Sequence, residues 1–550
     1  MKAIQANPKS LREIFQSIYV IPEFQRPYSW EIEQCSALWS DLTSFYNDDP
    51  EPNERYFIGS IVVYNDKDVT ERDAFSVVDG QQRLTTLFLL IRALFDNART
   101  AAILEQCLRI NDPLTGDLTQ DLRIQSRVIG TDKKSLESII IYNGSEAEGN
   151  IKINFDLLKK LIGEWISKDK DTKKINKLIL TLLDKVVMLP INCEEQDDAL
   201  GLFQTLNDRG LPLGDIDIFK AKIYGNIPAS PTNIRDDFIK EWNALNDHAE
   251  LFRIYMHIFR AEQQDISKEI ALRRYFQDKL NNHEQIVNAL KKISTIRETE
   301  ISIESDIYWH ILTTTPNEYW QYPLYVFLYL YGKLDENGNI KLSELDLNNY
   351  NFLIVSTIRF FFIKGIVHNT VNSVKDSVFK ICSHIYKSYQ DKKNTRNFLS
   401  AYNVNDDEYQ EFRKKLKENR YSGRYLKGLI LLAAMEQQKD KNSFLKILDG
   451  KYDIEHILPK KWNNYDKWDQ SNWELALNTL GNLMPLEKTL NIYASNLFFD
   501  RKKNEYGKSS FEQAKQICSN KNWYPNDHEL RHKKQLSILY AFFDEVKSKE

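Results

Sequence analysis

The run Asp453-Ile454-Glu455-His456-Ile457-Leu458-Pro459, followed by Gly481-Asn482 and then Asn491, constrains this chain more than any other feature. It asks for an acid beside a histidine on one arm of a β-hairpin, and for an amide returning on the helix that follows. In that arrangement Glu455 and Asn491 hold one divalent ion, while His456 points the other way and takes a proton from an attacking water. Asn482 braces the hairpin, and Asp453 is a second acid able to take the place of Glu455. A lone Glu-His pair is common and usually carries no chemistry. Here it is followed by Ile457-Leu458-Pro459, by a stretch rich in Trp and Asn from Trp462 to Trp473, and by Leu480-Gly481-Asn482-Leu483, a compound far rarer than its parts. Cys518 is the only cysteine after Cys382, so no zinc knuckle staples this unit. Its packing has to come from surrounding helices.

A chain of 550 residues is too long for one core and implies about two to four domains. The formal net charge of -4 excludes a global basic field, so any nucleic-acid surface is a local patch. The five cysteines, Cys35, Cys107, Cys193, Cys382 and Cys518, have neither metal nor redox spacing, which fits a reducing cytoplasm. The segment from Met1 to Asn7 lacks the apolar core of a signal peptide. The most apolar stretches, Leu178 to Ile191 and Tyr322 to Tyr331, are broken by Asp184-Lys185 or too short to span a bilayer, and read as buried helices. A cytoplasmic protein without a membrane partner is expected.

Along the chain, Tyr19 to Pro22 is extended, and a helix follows with Ser29 as N-cap and Cys35, Leu38, Trp39, Leu42 and Phe45 as its apolar stripe. Phe57 to Tyr64 and Ala74 to Val78 read as strands. The second runs into Asp79-Gly80-Gln81-Gln82-Arg83, after which Leu84, Leu87, Phe88, Ile91, Leu94 and Phe95 repeat with helical period. That strand-turn-helix corner offers free N–H groups and the planar charge of Arg83, a natural place for phosphate; the plain alternative is Asp79 as a cap and Arg83 as a solvated residue. Ala199 to Lys222 reads as helix, turn and helix, with Asn207, Arg209 and Gly210 in the turn. A break at Pro228 to Pro231 marks the first boundary, giving segments 1–228, 229–400 and 401–550, the middle one helical. Its aromatic residues, Trp309, Tyr319, Trp320 and Tyr322 among them, read as core. Arg413, Lys414, Lys415, Lys417, Arg420, Arg424 and Lys427 then form a basic run that is either a solvated helix face or a phosphate-tracking surface. Gly507-Lys508-Ser509 is no P-loop ending, because Lys502 stands where the leading glycine belongs.

With Ile21-Pro22-Glu23-Phe24-Gln25-Arg26-Pro27-Tyr28-Ser29-Trp30, Tyr56-Phe57-Ile58-Gly59-Ser60, Asp79 to Leu87 and Leu206-Asn207-Asp208-Arg209-Gly210 in order, the N-terminal half resembles the GmrS family. Asp453 to His456, Gly481-Asn482, Asn491 and Lys502-Lys503 resemble the GmrD HNH family, so the whole looks like a fused GmrSD-type restriction protein. The resemblance implies an α+β, predominantly helical chain: a ParB/sulfiredoxin-like N-terminal domain, a helical middle, and a C-terminal ββα-metal HNH unit embedded in helices. It implies a nucleotide triphosphate site at Asp79, Gly80, Gln81, Gln82 and Arg83, with Gln25, Arg26, Asn207, Arg209 and Gly210 in accompanying blocks. It also implies Glu455 as metal ligand, His456 as general base, Asn482 as brace and Asn491 as second ligand.

The expected protein is thus an NTP-regulated, Mg- or Mn-dependent endonuclease cutting double-stranded DNA, modified or invading phage DNA in particular. Lys414, Lys415, Arg420, Arg424, Lys502 and Lys503 are its candidate DNA contacts, and oligomeric state is left open. The rival readings are a nucleotide-switched DNA-binding regulator that does not cut, and an RNase toxin built on the same HNH chemistry.

Overall fold

The computed structural model describes residues 5–544 apart from 66–73, 99–100, 113, 129–130, 143, 168–171, 197, 200–201, 203–214, 229–232, 371, 392–395 and 420–422. The fold is α+β and mostly helical, and its contacts divide the chain into two compact units. The first comprises Met1–Ala244 and Phe276–Glu284, the second Leu245–Tyr275 and Gln285–Glu550.

The first unit is built on a seven-stranded mixed sheet. Its strands are β1 (Gln5–Ala6), β2 (Lys9–Ser10), β3 (Ile18–Ile21), β4 (Tyr56–Asn65), β5 (Ala74–Asp79), β6 (Ile124–Ser126) and β7 (Val186–Cys193). They lie in the order β1-β7-β4-β5-β3-β6, with β2 also on β7. β4 runs antiparallel to β5 and parallel to β7, and β3 runs parallel to both β5 and β6. The stretch from Leu178 to Ile191, read from sequence as one buried helix, is helical only to Lys185 and then becomes β7. An unbroken apolar run has no polar alternation to separate helix from strand, and the Asp184-Lys185 break is where the change occurs.

Three helices share one buried core with the strands of this sheet: α1 (Ile32–Asn47), α2 (Gln81–Phe95) and α3 (Gly149–Ser167). α1 starts at the cap Glu31, with a capping box to Gln34, and not at Ser29, whose N–H is taken by the Gln82 side chain. In α2, Leu84, Leu87, Phe88, Ile91 and Leu94 are all buried, and α3 packs Phe155, Leu158 and Ile162 into the same core. Each such side chain contributes about 1.5–3 kcal/mol relative to exposure, so α2 is held as a fixed platform behind the Asp79–Arg83 corner. The unit continues past the proline break: in α4 (Asn233–Asn243), Phe238 meets Tyr224 at a ring distance of 6.4 Å, and Asn243 accepts from Lys220.

The second unit is helical around an aromatic core. α5 (Gln321–Tyr331) and α6 (Glu344–His368) carry much of it, including Leu324, Phe327, Tyr350, Phe361 and Phe362. α6 is long and apolar enough to cross a membrane by length and composition, yet 61% of its most apolar window is buried inside the protein, as in a core helix. α7 (Asp406–Lys417) follows, begun by an Asn405-Glu408 capping box. The boundary expected near residue 400 is crossed by intimate contacts: Lys364 and His368 both bond the carboxylate of Glu408, Arg359 Nε donates to Phe542 O at 2.8 Å, and Phe362 and Phe412 flank Phe543. By compactness, the middle helices and the C-terminal segment therefore form one unit.

Candidate active site

Within the second unit, β8 (Tyr452–His456) pairs antiparallel with β9 (Leu483–Glu487), in register Asp453↔Leu486, Glu455↔Met484 and His456↔Leu483. Between them runs α8 (Gln470–Leu477), and directly after β9 comes α9 (Lys488–Ala494). Asn482 is fully buried where the two strands meet. Its Oδ1 accepts from Leu458 N at 2.6 Å, and its Nδ2 donates to Leu477 O at 2.9 Å and to Leu458 O at 3.3 Å. These bonds tie the strand exit to the end of α8. Trp473 Nε1 adds a bond to Pro459 O at 2.9 Å.

Strand alternation puts Asp453 and Glu455 on one face and His456 on the other. The two acids have different surroundings. Glu455 is buried, and its Oε1 accepts from Lys502 Nζ at 2.7 Å and from Tyr506 OH at 2.6 Å. Both donors come from α10 (Phe499–Tyr506), four residues apart on one face. Lys502 Nζ also donates to His456 O at 2.6 Å. Burial lowers the pKa of Lys502, an effect the Glu455 carboxylate opposes, and burial beside that carboxylate raises Tyr506 well above the usual phenol range. Asp453, by contrast, is half-buried, and Asn491 on α9 brings its amide Nδ2 to 3.4 Å from Asp453 Oδ2. The acid that meets Asn491 is Asp453.

His456 Nε2 lies 3.1 Å from Asn478 Oδ1, just beyond α8, and its Nδ1 is closed to solvent and has no hydrogen-bond partner among the described residues. Burial pushes the imidazole pKa down to about 4; Asn478 opposes the shift, and Lys460 and Lys502 add to it. The ring is therefore neutral near pH 7, the form a proton acceptor needs.

The candidate DNA contacts divide. Lys502 is only 1% exposed and serves the interior, so a phosphate cannot reach it; this corrects the reading of Lys502 as a DNA contact. Lys503 donates to Asn520 O at 2.6 Å, and Lys415 donates to Val367 O at 2.8 Å and Ile366 O at 3.2 Å, closing the end of α6. Arg413 pairs with Asp544 at 2.7 Å, and Lys427 lies over the Tyr452 ring. Lys414 is exposed. Arg420 lies outside the described residues, as does the side chain of Arg424. Lys460, Lys461 and Lys488, exposed and close to the hairpin in sequence, were not singled out from the sequence.

In the first unit, the motif blocks stitch to one another. Gly80 caps α2 with φ +86°, and a Cβ there would fall 2.5 Å from Ile61 Cγ2, so both conformation and space call for glycine. Gln82 Oε1 accepts from Ser29 N at 2.8 Å and its Nε2 donates to Pro27 O at 3.2 Å, while Gln81 Nε2 donates to Arg26 O at 3.2 Å. Gln25 Nε2 donates to Val78 O at 3.0 Å. Arg83 Nη1 donates to Ser60 O at 2.9 Å, passing so close to Gly59 that a Cβ there would lie 2.4 Å from it. The glutamines are thus braces. Burial raises the pKa of Asp79, against the pull of the Gly80 N–H, Arg83 and Arg26. Arg26 is exposed and lines a narrow pocket with Tyr28, Gln81, Gln82 and Asp132. Asn207, Arg209 and Gly210 lie outside the described residues.

A hairpin arm with acid and histidine, an amide-bearing helix behind it, and a separate unit built around a braced Asp-Gly-Gln-Gln-Arg corner make this a two-unit protein of the restriction endonuclease class. The chain belongs to the GmrSD family: residues 11–224 match the GmrSD restriction endonuclease N-terminal domain, and residues 404–536 match the GmrSD restriction endonucleases C-terminal domain. No curated protein matches the chain.

Proposed function

We propose that this chain is an NTP-regulated, divalent-metal-dependent DNA endonuclease that restricts modified or invading DNA, with its cutting centre on β8 and α9. The observation that carries the reading is the meeting of Asp453 and Asn491 beside a strand whose opposite face presents a neutral His456. The donor set fits a hard divalent ion. Among the described residues no three His, Cys, Asp or Glu side chains converge, and Mg or Mn needs no such cage, being commonly held by one or two protein oxygens and water. Asp453 and the amide oxygen of Asn491 would hold it, and Glu455, engaged by Lys502 and Tyr506, would stiffen the strand beneath. When bound, the ion supplies positive charge to the phosphate and its leaving oxygen.

The residues of the chain do the rest. His456 accepts a proton from water as the water oxygen bonds to phosphorus; the bond to the leaving ester oxygen breaks, and that oxygen is protonated from solvent. Asn482 keeps the histidine strand in register with β9. In the first unit, the charges of Arg26 and Arg83 and the first-turn N–H groups of α2 would receive a triphosphate, with Gln25, Gln81 and Gln82 fixing the segment that carries Arg26. The test is to challenge the full chain with one DNA in unmodified, methylated and glucosylated forms, with Mg or Mn, with and without each NTP. Cleavage in at least one arm that disappears in His456→Ala is expected. No cleavage in any arm, or cleavage that survives the substitution, overturns the reading.

A further inference from the structure

Exposed apolar side chains are normal when scattered and informative when they cluster. Among the described residues from 401 onward, the large apolar side chains left exposed are Leu475, Ile492, Tyr493, Leu497 and Leu530, and three of these five follow Asn491 within six residues. Ile492 is 63% exposed and Tyr493 67%. On α9, residues four apart share a face, so Ile492 lies beside Lys488 and Tyr493 beside Thr489, with Asn491 on the adjoining sector.

The surroundings of this pair are basic. Ser495 N closes α9 on Asn491 O at 3.0 Å, and the turn that follows brings Asn496 Oδ1 to Lys461 N at 3.3 Å. Phe498 stacks on Tyr465, ring centroids 4.8 Å apart and 10° from parallel, and Tyr465 packs edge-on against Trp462. The loop leaving β8 and the turn leaving α9 are thus fastened into one surface. Residues 456–465 and 488–499 carry Lys460, Lys461 and Lys488 and no acid. All three lysines are exposed, and none is ion-paired among the described residues. An apolar pair flanked by unpaired lysines suits a polyanion with an apolar interior, which is duplex DNA, with phosphates outside and stacked bases within. A protein partner would have to supply acids for those three ammonium groups.

We propose that Ile492 and Tyr493 enter the duplex beside the phosphate being cut and partly unstack one base step, while Lys460, Lys461 and Lys488 hold the flanking phosphates. This contact rests on the reading of Asp453, His456 and Asn491 as the cutting centre. It gives the chain a sequence preference without hydrogen bonds to base edges. Pyrimidine–purine steps, TA and CA/TG, unstack at the least cost, so cuts should concentrate next to them.

The test uses the full-length chain carrying His456→Ala, which holds DNA uncut, and a duplex of the DNA form that the wild type cuts best, with 2-aminopurine in one central TA step. Its fluorescence should rise on binding. Adding Ile492→Ser and Tyr493→Ser should abolish the rise and weaken Kd by roughly 10-fold, as the loss of a base–aromatic stack does. The salt dependence of Kd and the Tm should not move, because no phosphate contact and no buried side chain is lost. Lys488→Gln should do the reverse, keeping the fluorescence rise and lowering the salt slope by about 1. With His456 restored, the double variant should lose the bias of its cuts towards TA and CA/TG steps. An unchanged fluorescence rise and Kd in the double variant overturn the proposal. So does a concentration-dependent dimer in sedimentation that the double variant dissolves, which would make a second copy of the chain the occupant of this face. Cleavage at the wild-type rate by His456→Ala would remove the cutting-centre reading and this proposal with it; an inactive His456→Ala whose fluorescence ignores the double substitution removes the base contact alone.

Discussion

Lys502 and Lys503 are adjacent in sequence and opposite in duty: the first sends its ammonium inward to Glu455 and the backbone of His456, the second lies partly exposed over Phe499. Removing one partner of a buried pair strands the other charge, so Lys502→Ala should cost about 3–5 kcal/mol of unfolding free energy in a denaturant titration. The double change Lys502→Met with Glu455→Leu should recover most of that loss. If Lys502→Ala instead unfolds like wild type and only weakens DNA binding at high salt, the inward pair is not formed in solution. His456→Ala tests the neighbouring residue by a different route: its DNA cleavage should fall by ~10²- to 10⁴-fold while circular dichroism is unchanged. The sequence made the placement of His456, Asn482 and Asn491 legible, because one hairpin and one helix fix their spacing. It did not separate Asp453 from Glu455. Both acids sit on the same strand face, and what distinguishes them is a lysine 47 residues away whose burial no local pattern records.

At the scale of elements, α11 (Pro525–Asp544) acts on the hairpin loop through Arg531, His528 and the space beside Gly481. Arg531 is nearly inaccessible and burial pushes its pKa down to about 10, yet it satisfies two carbonyls of the Gly481-Asn482 turn. A Cβ on Gly481 would stand 2.7 Å from His528 Nε2 and 2.8 Å from His528 O, so Gly481→Ala should destabilise by about 1–3 kcal/mol through overpacking, read as a lower denaturation midpoint. The same contact carries a pH dependence. Burial, with help from His532 and Arg531, pushes the His528 imidazole down from 6.5 to about 4. Between those values the unfolded chain binds the proton and the folded chain does not, so the stability gained by keeping His528 neutral is complete above pH 6.5 and is lost as pH falls towards 4. His257, buried and pushed down to about 3, adds to the same slope. Calorimetric Tm should therefore drop across that window, and His528→Gln should flatten part of the drop; an unaltered slope in the variant would exclude His528 as a contributor. None of these contacts was legible in the sequence, since α11 follows the motif by a stretch with no signature of its own. β7 was misread for a related reason: Val186 to Ile191 is an unbroken apolar run with no polar alternation, and only its neighbours in the sheet reveal it as a strand.

For the whole molecule, the question is how much chain the cutting centre needs. The C-terminal family match begins at residue 404, which invites a fragment from Ala401 to Glu550. The structure argues against it. Glu408 would lose Lys364 and His368, Phe542 O would lose the Arg359 donor, and Phe543 would lose Phe362, leaving an apolar face of α7 and α11 in water. Each buried aromatic uncovered costs about 1.5–3 kcal/mol, against a net domain stability of only ~5–15 kcal/mol. That fragment should be largely unfolded by circular dichroism and hydrogen exchange, whereas Leu245 to Glu550, which contains the complete second unit and the short Phe276–Glu284 stretch, should fold. The longer fragment then tests regulation. If NTP or modified DNA acts through the first unit, it does so by binding two states of the full chain with different affinity, and the isolated second unit has nothing through which to feel either ligand. Leu245–Glu550 should therefore be either silent or indifferent to nucleotide and modification in the same plasmid assay. A fragment that kept the preference of the full chain for modified DNA would place recognition beside β8, and the division of labour between the two units would fall.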